Sequence, residues 1–336
     1  MAPPEPWGDQ RPLDDVVPDA TDSTTLGWAA WSWSSQGRLG PYERVGQTGW
    51  MLSRRSLLAA GAGAVALGAC GSRSTTAGGR DAARGGLNLL VVTPEAEAGK
   101  PTRLAFVLQD DAKEYLSPKS VTLQFGPAPD RFTSPVVEAR IFNDASPAPT
   151  YVTVEAELAP KGTVWAQATV DGKKATAPIM IVDARPGLGV GQPVPRVKTP
   201  SPGDAAGLEV VCTRSPEPCP WHDVSLDQAV GQGRPLAVLV ATPAFCQTAT
   251  CGPMLDVLLK AAPPFADRVG FVHLEVYAAR PSGPDISRTP LSPAVKAFAL
   301  ASEPNLFLVA ADGTVRERID GLFGTTEATQ ALQRLV

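Results

Sequence analysis

Between Leu87 and Val182 apolar residues return at every second position; beyond a proline- and glycine-rich break the rhythm becomes that of strands alternating with helices. That change of period divides the chain into two parts with different secondary structure. In the first part, Arg103-Leu-Ala-Phe-Val-Leu, Val121-Thr-Leu-Gln-Phe, Val136-Val-Glu-Ala-Arg-Ile-Phe, Tyr151-Val-Thr-Val-Glu-Ala, Val164-Trp-Ala-Gln-Ala-Thr-Val and Ala177-Pro-Ile-Met-Ile-Val are separated by Gly, Pro and Asp clusters. Such alternation places every other side chain on one face, so about seven short strands predict an all-β sandwich over 87–182. Asp171-Gly172 predicts a hairpin, because a type I′ turn needs positive φ at both central residues. Residues 183–207 read as a semi-extended Pro/Gly linker that packs no core.

From 208 to 336 the pattern predicts a short helix near Val224, a buried strand over Pro235–Ala241, a helix through Met254–Lys260 and a strand from Val269. Ser292-Pro293 is an N-cap followed by proline at the first helical position. Asn305–Ala310 and Thr314–Ile319 form a hairpin across Asp312-Gly313, and Thr326–Leu335 a closing helix. This β-α-β-α-β-β-α order resembles the thioredoxin-like fold, and the preceding strands resemble an immunoglobulin-like sandwich without its intersheet disulfide, since no cysteine lies there. The fold class expected is an α/β thioredoxin-like C-terminal domain preceded by an all-β immunoglobulin-like sandwich that serves as spacer or docking module.

The segment Ala241-Thr-Pro-Ala-Phe-Cys246-Gln-Thr-Ala-Thr-Cys251-Gly-Pro-Met lies between the buried strand and the first long helix, where thioredoxins carry their redox motif. Cys251-Gly252-Pro253 is similar to the start of Cys-Gly-Pro-Cys, with Met254 in place of the second cysteine and Cys246 upstream as substitute partner. With Thr250 capping the helix, Cys251 would be the thiolate that attacks and Cys246 the residue that resolves. Pro304, before the third strand, matches the cis-proline that in thioredoxins lies against the active disulfide. The resemblance implies a thiol–disulfide oxidoreductase that needs no cofactor and acts on a protein thiol or disulfide partner.

The same letters resemble the bacterioferritin-comigratory peroxiredoxins, which would make Cys246 the peroxidatic nucleophile, although Pro243 and Leu239 depart from that pattern. Sco-type copper chaperones offer a third comparison, with copper held by Cys246, Cys251 and the distant His273 through soft donors; an ordinary strand histidine is the preferred reading of His273. A non-catalytic binding module stapled by a structural disulfide is the fourth. Cys212 and Cys219 flank a short loop, with His222 three residues on. That residue set admits a metal, but the expectation is a loop-closing disulfide worth about 2–3 kcal/mol in the chain-entropy model.

Arg54-Arg55 ahead of a short, weakly apolar run resembles a twin-arginine export signal, and Leu67-Gly-Ala-Cys70 resembles a lipobox whose cysteine is acylated. Leu57–Ala69 is too short to span a bilayer, which takes about 20 apolar residues. The resemblance implies a lipid-anchored protein on the extracytoplasmic face of the cell membrane, with 51–70 as signal and 71–86 as flexible tether. Residues 1–50 hold five of the seven tryptophans without periodicity and are read as a mis-started or disordered extension ahead of Met51. Net charge is −4; removing the first 69 residues, with 5 basic and 7 acidic side chains, leaves −2. No basic patch or charge run points to nucleic acid.

Overall fold

The computed structural model describes residues 86–336 apart from 94, 160, 247 and 284. Arg54, Arg55 and Cys70 lie outside the described residues, as do the readings made on 1–85. Among the described residues no helix is long and apolar enough to cross a membrane.

The first part is built from two sheets. One has the order β1-β3-β7-β6, from β1 (Leu87–Val91), β3 (Pro101–Asp110), β7 (Tyr151–Glu157) and β6 (Arg140–Phe142). The other runs β2-β9-β8-β4-β5, from β2 (Glu95–Glu97), β9 (Lys173–Val182), β8 (Gly162–Val170), β4 (Thr122–Gly126) and β5 (Val137–Glu138). Leu104, Phe106 and Leu108 of the first sheet share a core with Leu123, Phe125, Ala166 and Ile179 of the second. The predicted turn joins β8 to β9, with Asp171 at φ 48° and Gly172 at φ 77°. The segment expected as one strand over Val136–Phe142 is two: β5 pairs with β4 and β6 with β7. Ala139 marks the point where the chain leaves one sheet for the other, as strands do at sandwich corners.

The second part carries a single sheet of order β11-β10-β12-β13. Its strands are β10 (Leu236–Val240), β11 (Gly270–Leu274), β12 (Asn305–Val309) and β13 (Val315–Asp320), with β10 and β11 parallel and the other pairs antiparallel. All five residues of β10 are buried, because helices cover both faces. Ala237 and Leu239 pack with α2 (Cys251–Ala261) and α4 (Thr325–Leu335), while Leu236, Val238 and Val240 pack with α1 (Leu226–Ala229) and α3 (Pro293–Phe298). Ser292 caps α3 by accepting from the Val295 amide at 3.3 Å. The helix closes at Ala299, whose φ of 51° is left-handed.

The two parts are fused rather than strung on a linker. Strand β3 serves two cores: Leu104, Phe106 and Leu108 face the core between the two sheets, and Ala105 and Val107 join Met254, Leu258, Phe323 and Leu332. Its run Leu-Ala-Phe-Val-Leu is apolar on both faces for that reason. Over this seam the Arg103 guanidinium meets Glu327 in a bidentate pair, Nε to Oε1 at 2.6 Å and Nη2 to Oε2 at 2.8 Å, and Tyr151 donates to the same carboxylate at 2.6 Å. Burial, then the neighbouring Glu327 charge, pushes the Tyr151 phenol upward, so it stays a donor.

The stretch expected as a linker without a core is a strap. Leu188 and Val194 are buried against β13 and α3. Arg318 donates to the carbonyls of Pro186 and Leu188 at 2.8 and 3.1 Å. Arg185 pairs with Asp320 at 3.0 Å.

Because removing one partner of a buried ion pair leaves the other unsatisfied, Arg103→Ala is expected to lower the unfolding free energy by about 3–5 kcal/mol. Urea unfolding followed by circular dichroism measures this; a loss below about 1 kcal/mol would show the clasp to be dispensable.

Candidate active site

Strand β10 ends at Val240, and the chain passes through 241–250 before turning into α2 at Cys251. Pro253 suits the first turn of that helix, where its missing amide leaves no bond unmade. Met254, Leu255 and Leu258 then bury the inner face, and Arg214 holds Asp256 on the outer side at 2.9 Å.

Thr250 occupies the cap position, but its hydroxyl does not cap the helix; it lies 2.7 Å from the Thr248 hydroxyl. Instead the Cys251 amide donates to Cys246 Sγ at 3.3 Å, so a sulfur fills the role a cap side chain ordinarily takes. Thr248 Oγ1 lies 3.3 Å from the same sulfur. These contacts, the Cys251 thiol first among them, pull the Cys246 thiol down from 9.0 to about 5 against the opposing effect of burial. Cys251 has no exposed surface, and burial followed by hydrogen bonding to Cys246 pushes its thiol up. These environments favour the thiolate on Cys246, whereas the sequence led to the expectation of Cys251. The helix end acts on the sulfur lying in front of it, not on the one carried by its first residue.

Glu303 completes this group: one carboxylate oxygen and the two sulfurs lie within 4.8 Å of one another. Its Oε2 is buried and has no hydrogen-bond partner among the described residues. Burial first, then the charge on Cys246, raises its carboxyl from 4.5 to about 8. The Glu303–Pro304 peptide is cis and leads directly into β12. Sequence reasoning singled out Pro304 and overlooked Glu303, although its place beside that proline was the available signal.

His273 is not part of this group. It sits on β11 opposite Leu239, and its Nε2 meets the Ala241 carbonyl at 3.0 Å. Its Nδ1 faces Cys212, Cys219 and His222. The copper set of Cys246, Cys251 and His273 is thus not assembled. Cys212 and Cys219, expected as a disulfide, are unbridged thiols in a cluster with both histidines. Hydrogen bonding from Cys219, then from the histidines, holds the Cys212 thiol down, and the same sulfur–sulfur contact holds Cys219 up.

No protein-family model matches the chain, and no curated protein does. Among solved structures it is similar to a thioredoxin-family thiol:disulfide interchange protein from Chlorobium tepidum TLS, at 16% identity over 46% of this chain and 99% of that one, with a TM-score of 0.29. It is also similar to the Lin-41 filamin domain, at 15% identity over 29% of this chain and 93% of that one, with a TM-score of 0.21. The CARDB domain of PF1109 from Pyrococcus furiosus is a third, at 12% identity over 30% and 97%, with a TM-score of 0.18.

Two pH effects follow from the thiol and the carboxyl. A depressed thiol stabilises the reduced fold above its unfolded value of 9.0, and that contribution is lost as pH falls through about 5. A raised carboxyl works oppositely, giving up stability as pH rises from 4.5 through about 8. Iodoacetamide alkylation of the reduced protein is expected to modify Cys246 before Cys251, with a midpoint near pH 5. Mass-spectrometric mapping of the labelled residue across pH decides it; a midpoint near 9 would refute the thiolate assignment.

Proposed function

We propose that the chain is a lipid-anchored, extracytoplasmic thiol–disulfide oxidoreductase of thioredoxin-like type, with Cys246 as attacking thiolate and Cys251 as resolving thiol. The observation that carries this reading is the Cys246 sulfur seated on the α2 amide in front of a buried Cys251. The sheet order, the helices on both of its faces and the cis-proline support the thioredoxin-like part. The two-sheet core supports an immunoglobulin-like sandwich. Anchoring through Cys70 rests on residues 53–70 alone.

In the reducing direction, Cys246 Sγ attacks one sulfur of a substrate disulfide, forming a mixed disulfide and releasing the other sulfur as a thiolate. Cys246 then carries no charge, so one of the effects that raise Glu303 is gone; burial still acts, but the carboxylate form becomes easier to reach. That carboxylate takes the Cys251 proton, and Cys251 Sγ displaces the second substrate thiolate from Cys246. Substrate gains two electrons, and the pair ends as a disulfide. The oxidising direction is the reverse.

A low-lying thiolate stabilises the reduced state, so the couple is expected to be reversible between about −270 and −120 mV. Thiol trapping of the full chain in glutathione buffers measures it; a pair still oxidised below roughly −300 mV would indicate a structural staple. Cys246→Ser should abolish exchange. Glu303→Gln should slow resolution by roughly 10²-fold, let the mixed disulfide accumulate and leave the first step intact. Thiol-dependent peroxide consumption without disulfide exchange would favour a peroxidase instead. Lipid labelling lost on Cys70→Ser would support the anchor, and labelling retained would count against it.

A further inference from the structure

The chain contains two histidines in all its 336 residues, and both meet each other and two cysteines in one cluster. Three members come from a single segment, Cys212, Cys219 and His222; the fourth, His273, projects from β11. All four donor atoms lie within 4.8 Å of one another. His273 Nδ1 to His222 Nε2 is 3.3 Å, Cys219 Sγ to each of those nitrogens 3.4 Å, and Cys212 Sγ to His273 Nδ1 3.7 Å.

Hydrogen bonds alone do not account for this packing. His273 gives its Nε2 to the Ala241 carbonyl, which leaves Nδ1 with a single lone pair facing two sulfurs and a nitrogen. One lone pair cannot satisfy three neighbours, whereas an ion at the centre of the four would engage every donor. The spacings fit such an ion. With Zn–S near 2.3 Å and Zn–N near 2.0–2.1 Å, a tetrahedron has edges of about 3.3 Å between nitrogens and about 3.6 Å between sulfur and nitrogen.

We propose that Cys212, Cys219, His222 and His273 form a tetrahedral structural Zn2+ site. The donor set suits that ion, since four-coordinate S2N2 is a zinc arrangement, and two thiolates with two neutral imidazoles balance its charge. The surroundings have the features of an outer shell. The Ala241 carbonyl orients His273, the Cys219 amide donates to Cys212 Sγ at 3.4 Å, and Trp221, next to His222, stacks at 5.1 Å on Phe271, two residues before His273. Glu275 is turned away to the Thr213 amide and hydroxyl, at 2.6 and 2.8 Å, and is not a ligand.

The site ties the 212–222 segment to the edge strand β11, where the His273 amide also donates to the Trp221 carbonyl at 3.2 Å. Its influence reaches the redox loop, because Thr213, next to ligand Cys212, accepts from the Ala244 amide at 3.1 Å. The inference does not depend on the redox reading, and the two cysteine pairs have different tasks.

The test is metal analysis of the full chain, purified reduced and titrated with zinc chloride, by native mass spectrometry and competition with a chromophoric chelator. One equivalent of zinc is expected, with affinity falling at least roughly tenfold in His222→Ala and Cys212→Ser. Cys246→Ser and Cys251→Ser should keep the full equivalent while losing exchange activity, which separates the two proposals. If the ligand variants fail to fold, cobalt(II) titration of the unaltered protein decides the matter: an intense tetrahedral visible band with thiolate charge transfer supports the site. A weak octahedral spectrum, absence of bound zinc, loss of zinc in Cys246→Ser, or a Cys212–Cys219 disulfide that forms with zinc present would each overturn it.

Discussion

Among the described residues, the candidate site depends on the end of one strand, β10. Strand β10 is buried on both faces, with helices above and below that fix where the chain leaves it. Ala241 gives its amide to Leu274 and its carbonyl to His273. The next residues carry Cys246 to the mouth of α2, and the neighbouring strand β12 starts just after Pro304. Loops at the carboxyl ends of buried strands are where α/β sheets place their chemistry, since a rigid strand there meets an open crevice.

Much of this was legible beforehand. The period of two, the Asp171-Gly172 turn, the Ser292-Pro293 helix start and the position of the cysteines between strand and helix are local signals, and local signals survive folding. What escaped was what depends on two distant segments meeting. Ala105 and Val107 lie on the face of β3 away from the other sheet, and their burial depends on the core they share with α2 and α4. The strap over 183–207 looked coreless because proline and glycine dominate it, yet Leu188 and Val194 are buried and Arg185 and Arg318 tie it down. Nor does any spacing rule encode which cysteine sulfur faces the α2 amide, since that depends on how the chain carrying Cys246 folds back.

The two cysteine pairs illustrate how the same residue type is turned to different ends by its neighbours. Around Cys246 the companions are hydroxyls, an amide and a carboxyl, all of which adjust protonation. Around Cys212 and Cys219 they are imidazole nitrogens, the donors that the proposed zinc site would use. Thr213 stands between the two settings, bonded to Glu275 on one side and to Ala244 on the other. The fused seam at Arg103 and Glu327 joins β3 to α4, so the two-sheet part packs into the same core as α2.

The sulfur that caps α2 is also the atom that would change during exchange. Once Cys246 is bonded to another sulfur it is a neutral, weak acceptor, and the Cys251 amide loses its best partner. The opening turn of the helix would then fray more readily than in the thiolate form, so amide hydrogen exchange at that turn becomes a readout of oxidation state. A segment anchored at Met254 and Leu255 can loosen ahead of those residues without disturbing the core behind them.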